Sequence, residues 1–222
     1  MLQYVHRYRI GLAECISEVL FESKPCGHVL RKLAAGNLLE LNERGITGNI
    51  SYVTLAKKGF EKIGIDDAKP KTISNTVLNT AIALSWYCNL ESSRRFLMIP
   101  SEVREVFGKT STVPHILCPA EFGQPVVLRV YHATGKLKTA KNKTEEFFET
   151  TASKPRFAPA LANRDFGLLC LAPTGEKRNQ LSDAFHKEDL FSRGLLVVGL
   201  GPTEETLAKL LRERRSGREQ SD

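Results

Sequence analysis

The sequence predicts an α/β protein, α+β overall, made of two domains. Apolar residues in the first 65 positions recur mostly at the three- and four-residue spacing of helices. The segment DDAKPKTIS, near residues 65–73, interrupts this pattern with charges and a proline. Beyond it, apolar runs rich in Val, Leu and Ile alternate with helical segments, which favours a sheet of mixed strand directions. The predicted domains span residues 1–66 and 74–214, followed by a polar tail at 215–222.

Composition and charge narrow the functional classes. The 222 residues carry a net charge of +7, and a positive surplus of this size attracts polyanions such as nucleic acid. No apolar run approaches the roughly 20 residues of a membrane helix, and the N-terminus lacks the pattern of a signal peptide. We therefore expect a soluble cytoplasmic protein with no membrane partner. The five cysteines form no CxxC pair, so the sequence predicts no disulfide framework, no zinc site and no cofactor.

The first domain has the element order of a winged helix-turn-helix: helix, helix, helix, hairpin, helix. Ser23 is the expected N-cap of the helix that follows it, and Gly36 is expected to end that helix. After Gly36 the apolar period changes from 3.6 to about 2, which predicts a hairpin with a polar, glycine-bearing tip. After the first helix, the predicted helices span residues 11–20, 26–35 and 55–63, and the predicted strands of the hairpin span residues 38–41 and 50–54.

Polar and basic residues of this domain are suited to contact double-stranded DNA. The second helix of a helix-turn-helix enters the major groove, and the wing lies over a phosphate backbone or the minor groove. The candidate DNA-binding residues are Lys24, His28, Arg31 and Lys32 near this helix, and Asn42, Arg44 and Asn49 on the wing. The alternative is a protein-interaction module that uses the winged helix to bind a partner.

The second domain is predicted to be a mixed-sheet α/β domain. Its expected helices lie at 77–90, 101–107, 143–151, 175–187 and 203–214, and its expected strands at 95–99, 115–118, 126–131, 167–171 and 195–200. A basic run at 129–156 could extend a DNA footprint along phosphates. Its candidate secondary DNA contacts are Arg129, Lys136, Lys138, Lys141 and Lys143. The alternatives are a solvated loop and helix face, or a domain that forms a homodimer.

The first 65 residues also resemble a known family. The phrases HRYRIGLAECISEVLF, VLRKLAAGNLLELNERG and SYVTLAKKGFEKIG are similar to the opening of the replication-relaxation family of plasmids and other mobile elements. Those proteins carry a "Y-x-L-T-x-x-G" phrase before a helix, and here Thr54 and Leu55 stand in the altered order. The resemblance implies a sequence-specific DNA-binding protein that acts as a transcriptional regulator or as a replication or mobilisation accessory factor. No small-molecule effector is indicated.

Members of that family are often followed by a domain similar to the PD-(D/E)xK restriction-endonuclease-like fold. Such a fold holds a divalent metal with carboxylates on adjacent strands. At the equivalent positions this chain has His115 and Arg129, and a guanidinium cannot replace an oxygen ligand. Glu91 and Glu121 are isolated acids at uncertain spacing. The resemblance therefore implies a degenerate nuclease-like domain with no catalytic residue and no metal ligand; the alternative is a metal-dependent endonuclease.

Overall fold

The structure is a computed structural model that describes residues 1–42, 52–65, 73–90, 95–108, 111–119 and 121–219. It is a mixed α/β structure of the α+β type with two sheets. Its contacts divide the chain into two compact units, unit 1 (Met1–Leu90 with Pro202–Asp222) and unit 2 (Glu91–Gly201). Within the described ranges no helix has the length and apolar character needed to cross a membrane.

The helices and strands are numbered separately along the chain. The helices are α1 (Leu2–Tyr8), α2 (Ala13–Leu20), α3 (Gly27–Ala35), α4 (Lys57–Lys62), α5 (Asn75–Asn89), α6 (Pro100–Phe107), α7 (Leu137–Ala152), α8 (Ala158–Ala162), α9 (Gly175–Lys187) and α10 (Glu204–Glu219). The strands are β1 (Gly11–Leu12), β2 (Leu39–Asn42), β3 (Tyr52–Leu55), β4 (Phe96–Leu97), β5 (His115–Cys118), β6 (Val126–His132), β7 (Phe166–Ala172) and β8 (Leu195–Leu200).

Unit 1 contains a three-stranded antiparallel sheet in the order β1-β3-β2. Val5, Ile16, Leu30 and Val53 form its core with no exposed surface. Gly11 lies in β1, and not in a helix as the sequence predicted. A Cβ at this position would stand 2.6 Å from Ile16 Cδ1, so a larger residue would require the Ile16 side chain to shift.

The turn before α3 differs from the prediction. Ser23 does not cap α3, because Cys26 precedes the helix and no side chain caps it. Ser23 instead has a φ of 65°, and its hydroxyl donates to the Glu18 carboxylate at 3.2 Å. The helix ends at Gly36 as expected, but the left-handed residue of the turn is Asn37, with a φ of 58°. Asparagine tolerates this conformation better than most residues with a side chain.

Helix α4 is held against the start of β2 by backbone contacts. The Ala56 N–H donates to the Leu38 carbonyl oxygen at 3.2 Å. A Cβ on Gly59 would lie 2.2 Å from the same oxygen, a distance that no real Cβ contact shows. Gly59 is therefore required for this close approach, which fixes α4 beside the end of α3.

Unit 2 is built on a five-stranded sheet in the order β4-β5-β6-β7-β8. The first three strands pair antiparallel, and β6, β7 and β8 pair parallel. Every residue of β7, an interior strand of the sheet, is buried, as expected for a strand covered on both faces. The predicted strands are all present, although α7 begins six residues before its predicted start and α8 was not predicted.

The two units do not follow the predicted boundary at residues 66–74. Helices α5 and α10, both expected in the second domain, belong to unit 1. The Glu204 N–H donates to Asn79 Oδ1 at 2.8 Å, and the Arg214 guanidinium donates to the Leu90 carbonyl oxygen. The chain thus returns to unit 1 after β8. A break in composition along the sequence does not show which unit the flanking helices pack against.

Candidate nucleic-acid interface

Helix α3 has one apolar side and one cationic side. Leu30 is fully buried, and Cys26 at the helix start is 2% exposed. With 3.6 residues per turn, positions on the opposite side of Leu30 point to solvent. The predicted side chains occupy these positions or the turn before the helix, and all four are exposed: Lys24, His28, Arg31 and Lys32.

The cations of this face are available to an anionic ligand. In the part of the chain that the structure describes, no acidic side chain lies within ion-pair distance of Arg31 or Lys32. Lys24 Nζ lies 3.4 Å from a Glu22 carboxylate oxygen, but the two side chains are 76% and 88% exposed. An ion pair this exposed contributes little and is readily exchanged for another anion. The face therefore presents donors that are not committed to the fold.

The hairpin contributes one described candidate. Asn42 ends β2 opposite Tyr52 of β3, is half-buried, and its Nδ2 donates to the Glu40 carbonyl oxygen at 3.5 Å. Arg44 and Asn49, the other two predicted wing residues, lie outside the described residues. Sequence reasoning did not single out Lys58 and Lys62 of α4, which are both exposed. Their four-residue spacing on one helix was the signal that could have found them.

The basic candidates of unit 2 are partly engaged within that unit. Lys141 Nζ lies 2.8 Å from a Glu188 oxygen, and Lys143 Nζ lies 2.7 Å from a Glu146 oxygen. The Arg129 guanidinium lies 5.9 Å from the centre of the Phe147 ring, within cation–π range. Among these candidates, only Lys136 and Lys138 are exposed without a described acidic partner. Lys136 directly precedes α7, and Lys138 lies in its first turn. Fewer cations of the predicted basic run are therefore available to bind DNA than its composition indicates.

His115 and Arg129, the two positions at which a nuclease pattern would carry carboxylates, lie directly opposite each other on β5 and β6. His115 is 5% exposed, and its ring centre lies 5.2 Å from that of Phe107 and 6.2 Å from that of Phe166. Glu121, the acid nearest in sequence, accepts two hydrogen bonds from the Arg95 guanidinium at 2.5 and 2.6 Å. Glu91 lies outside the described residues.

Metal-binding and nucleophilic chemistry find little support in the described residues. No group of three or more His, Cys, Asp or Glu side chains in those ranges could hold a metal ion. All five cysteines are buried. Burial raises the pKa of Cys15, Cys118 and Cys170 to about 12, so their thiols stay protonated at neutral pH. A protonated thiol is a poor nucleophile and a poor metal ligand.

The buried imidazole predicts a pH-dependent stability. The pKa of His115 is lowered from 6.5 to about 4, chiefly because burial penalises the imidazolium and also because Arg129 is cationic. Below pH 6.5 the unfolded chain therefore binds a proton that the folded chain does not. We expect the contribution of His115 to the free energy of unfolding to stay constant above this pH. It should then fall by about 3 kcal/mol as the pH is lowered to 4, since one pKa unit corresponds to about 1.4 kcal/mol.

Urea unfolding between pH 4 and pH 8 measures this dependence. His115→Phe keeps an aromatic ring in the cluster and removes the proton site, so its stability should vary less with pH than that of the wild type. His186→Gln changes an exposed histidine and serves as the control. The burial of His132 also lowers its pKa, so the difference between the His115→Phe and wild-type profiles is the relevant quantity. Two identical profiles would contradict the assignment to His115.

Comparison of the chain with protein-family models found no match, and comparisons with curated proteins and with solved structures found none.

Proposed function

We propose that the chain is a sequence-specific double-stranded DNA-binding protein and that unit 1 is a winged helix-turn-helix. The order α1-β1-α2-α3-β2-β3 supports this interpretation, together with an antiparallel sheet in which β3 lies between β1 and β2. In this interpretation α2 and α3 form the helix-turn-helix, and β2 and β3 form the base of the wing. The exposed cationic side of α3 is the single observation that carries the proposal.

The dimensions of α3 suit a major groove. An α-helix with its side chains is about 10–12 Å across and the groove is about 12 Å wide, so α3 can lie within it. Arg31 can donate to guanine or to phosphate oxygens, and Lys24 and Lys32 can contact phosphates. His28 lies one turn before Lys32 on the same side of the helix, where it would point towards base edges. Asn42 would approach the DNA backbone from the base of the wing.

For unit 2 we propose a degenerate nuclease-like domain without catalytic activity. The paired positions of His115 and Arg129 on adjacent strands support this part of the proposal. A cationic guanidinium beside a neutral imidazole would repel a divalent metal where a nuclease binds one. The protein would then regulate transcription, or assist replication or mobilisation of a plasmid or other mobile element. A homodimer held together by unit 2 would present two α3 helices to a palindromic site.

Fluorescence anisotropy tests the proposed function. The probes are a duplex from upstream of the protein's own gene and a scrambled duplex, each over a salt series. We expect tighter binding to the first, with an affinity that falls steeply as salt rises because phosphate contacts release counterions. No binding to either duplex at low salt would refute DNA binding and favour a protein partner. Conversion of plasmid DNA to nicked or linear form with magnesium or manganese would refute the non-catalytic role.

A further inference from the structure

A second cationic surface lies beside the end of α3. It is an open groove lined by Gly36, Leu38, Lys58, Glu61 and Lys62, and we call it the α4 groove. Gly36 ends α3, and Leu38 accepts the backbone hydrogen bond that docks the start of α4. The α4 groove is therefore placed by the same backbone that orients α3.

Lys58 and Lys62 are the uncommitted charges of this groove. They lie four residues apart on α4, so their side chains leave the same side of the helix about 6 Å apart along its axis. Lys57 and Glu61 share the neighbouring side, where Lys57 Nζ lies 3.9 Å from a Glu61 oxygen. In the ranges that the structure describes, Lys58 and Lys62 have no acidic partner of their own.

We infer that the α4 groove binds the DNA phosphate backbone, with Lys58 and Lys62 as the contacting residues. This inference rests on the proposed function of unit 1. In a helix-turn-helix the N-terminal residues of the second helix contact base edges, so the C-terminal end of α3 would lie farther from the bases and nearer the phosphates at the groove edge. One strand presents a phosphate about every 3.4 Å along the duplex axis, so two lysines about 6 Å apart span roughly two such intervals and can each contact a different phosphate. Unit 1 thus contacts DNA at two places, inside the groove through α3 and at its edge through α4.

Contact with phosphates alone carries no sequence information, so variants of these lysines should change affinity without changing sequence preference. In the full-length protein, Lys58→Gln with Lys62→Gln should weaken binding to the specific and the scrambled duplex by the same factor, on the order of tenfold at 0.1 M salt. The slope of log affinity against log salt should become shallower by about 2, because each of the two lysines neutralises one phosphate. Lys57→Gln is the matched control, because it removes a cation from the neighbouring side of the same helix.

The possible outcomes distinguish failure of the α4 contact from failure of the proposed DNA binding by unit 1. Wild-type protein that binds no duplex overturns both. Wild-type protein that binds, with a slope unchanged in the double variant, overturns the α4 contact and leaves the α3 contact standing. The lysines could also serve only to stabilise the C-terminal end of α3, where cations interact favourably with the helix dipole. In that case the double variant would unfold at a lower temperature and keep the wild-type slope, which again overturns the inference.

Discussion

Replacement of Arg31 and Lys32 by alanine should lower the affinity for the specific duplex by about 100-fold at 0.1 M salt. Both side chains are exposed and lack a described acidic partner, so in the proposed complex their charges are directed to the DNA. A well-placed base or charged contact contributes roughly 1–3 kcal/mol, and about 1.4 kcal/mol corresponds to a tenfold change. Alanine has the highest helix propensity, so α3 itself should be retained. Anisotropy titrations measure the loss.

The matched control is Lys209→Ala with Arg212→Ala on α10. Both residues are exposed and belong to unit 1, and each double variant changes the formal net charge from +7 to +5. The control should bind within a few-fold of the wild type. Equal losses in the two variants would mean that the duplex responds to net charge and that α3 has no special role. Circular dichroism of both variants should match the wild type, because no core residue is altered.

Residue spacing was sufficient to predict the candidate face of α3. The spacing of Val29, Leu30 and Leu33 predicts that these residues face inward. It leaves the polar side chains outward, and the structure shows all four of them exposed: Lys24, His28, Arg31 and Lys32. The same reasoning located the strands of the large sheet, whose apolar runs are nearly continuous because the strands are covered on both faces. Local periodicity therefore predicted those features of the fold that depend on nearby residues.

Features that depend on distant residues were missed. Gly11 lies in a strand because it pairs with Val53 of β3, which is over 40 positions away. The lysines of α4 lie beside the end of α3 because Gly59 allows that helix to dock on Leu38, a contact that local spacing does not predict. In unit 2, Glu121 seemed an isolated acid, but it is the partner of a buried arginine. Charge counting along the sequence cannot distinguish a free side chain from one that is already paired.

The pair between Arg95 and Glu121 gives the largest stability effect that we expect. The Arg95 side chain is 6% exposed and that of Glu121 is 18% exposed. Glu121→Ala removes the carboxylate and leaves the guanidinium buried without its main counter-charge. Breaking a buried pair in this way costs about 3–5 kcal/mol, whereas an exposed pair contributes about 0–1 kcal/mol. Urea unfolding of the full chain, followed by circular dichroism, measures the change.

Glu188→Ala is the control for this experiment, because it removes the exposed partner of Lys141 and should change stability by less than about 1 kcal/mol. A second variant, Arg95→Met with Glu121→Leu, replaces both members of the buried pair with apolar side chains. Because the buried guanidinium is removed together with its carboxylate, this variant should be more stable than Glu121→Ala even though it alters more residues. If Glu121→Ala lowered the free energy of unfolding no more than Glu188→Ala does, the Glu121 carboxylate would not stabilise the buried charge of Arg95. The difference between the single and the double variant thus measures the cost of removing the Glu121 carboxylate while the Arg95 guanidinium stays buried.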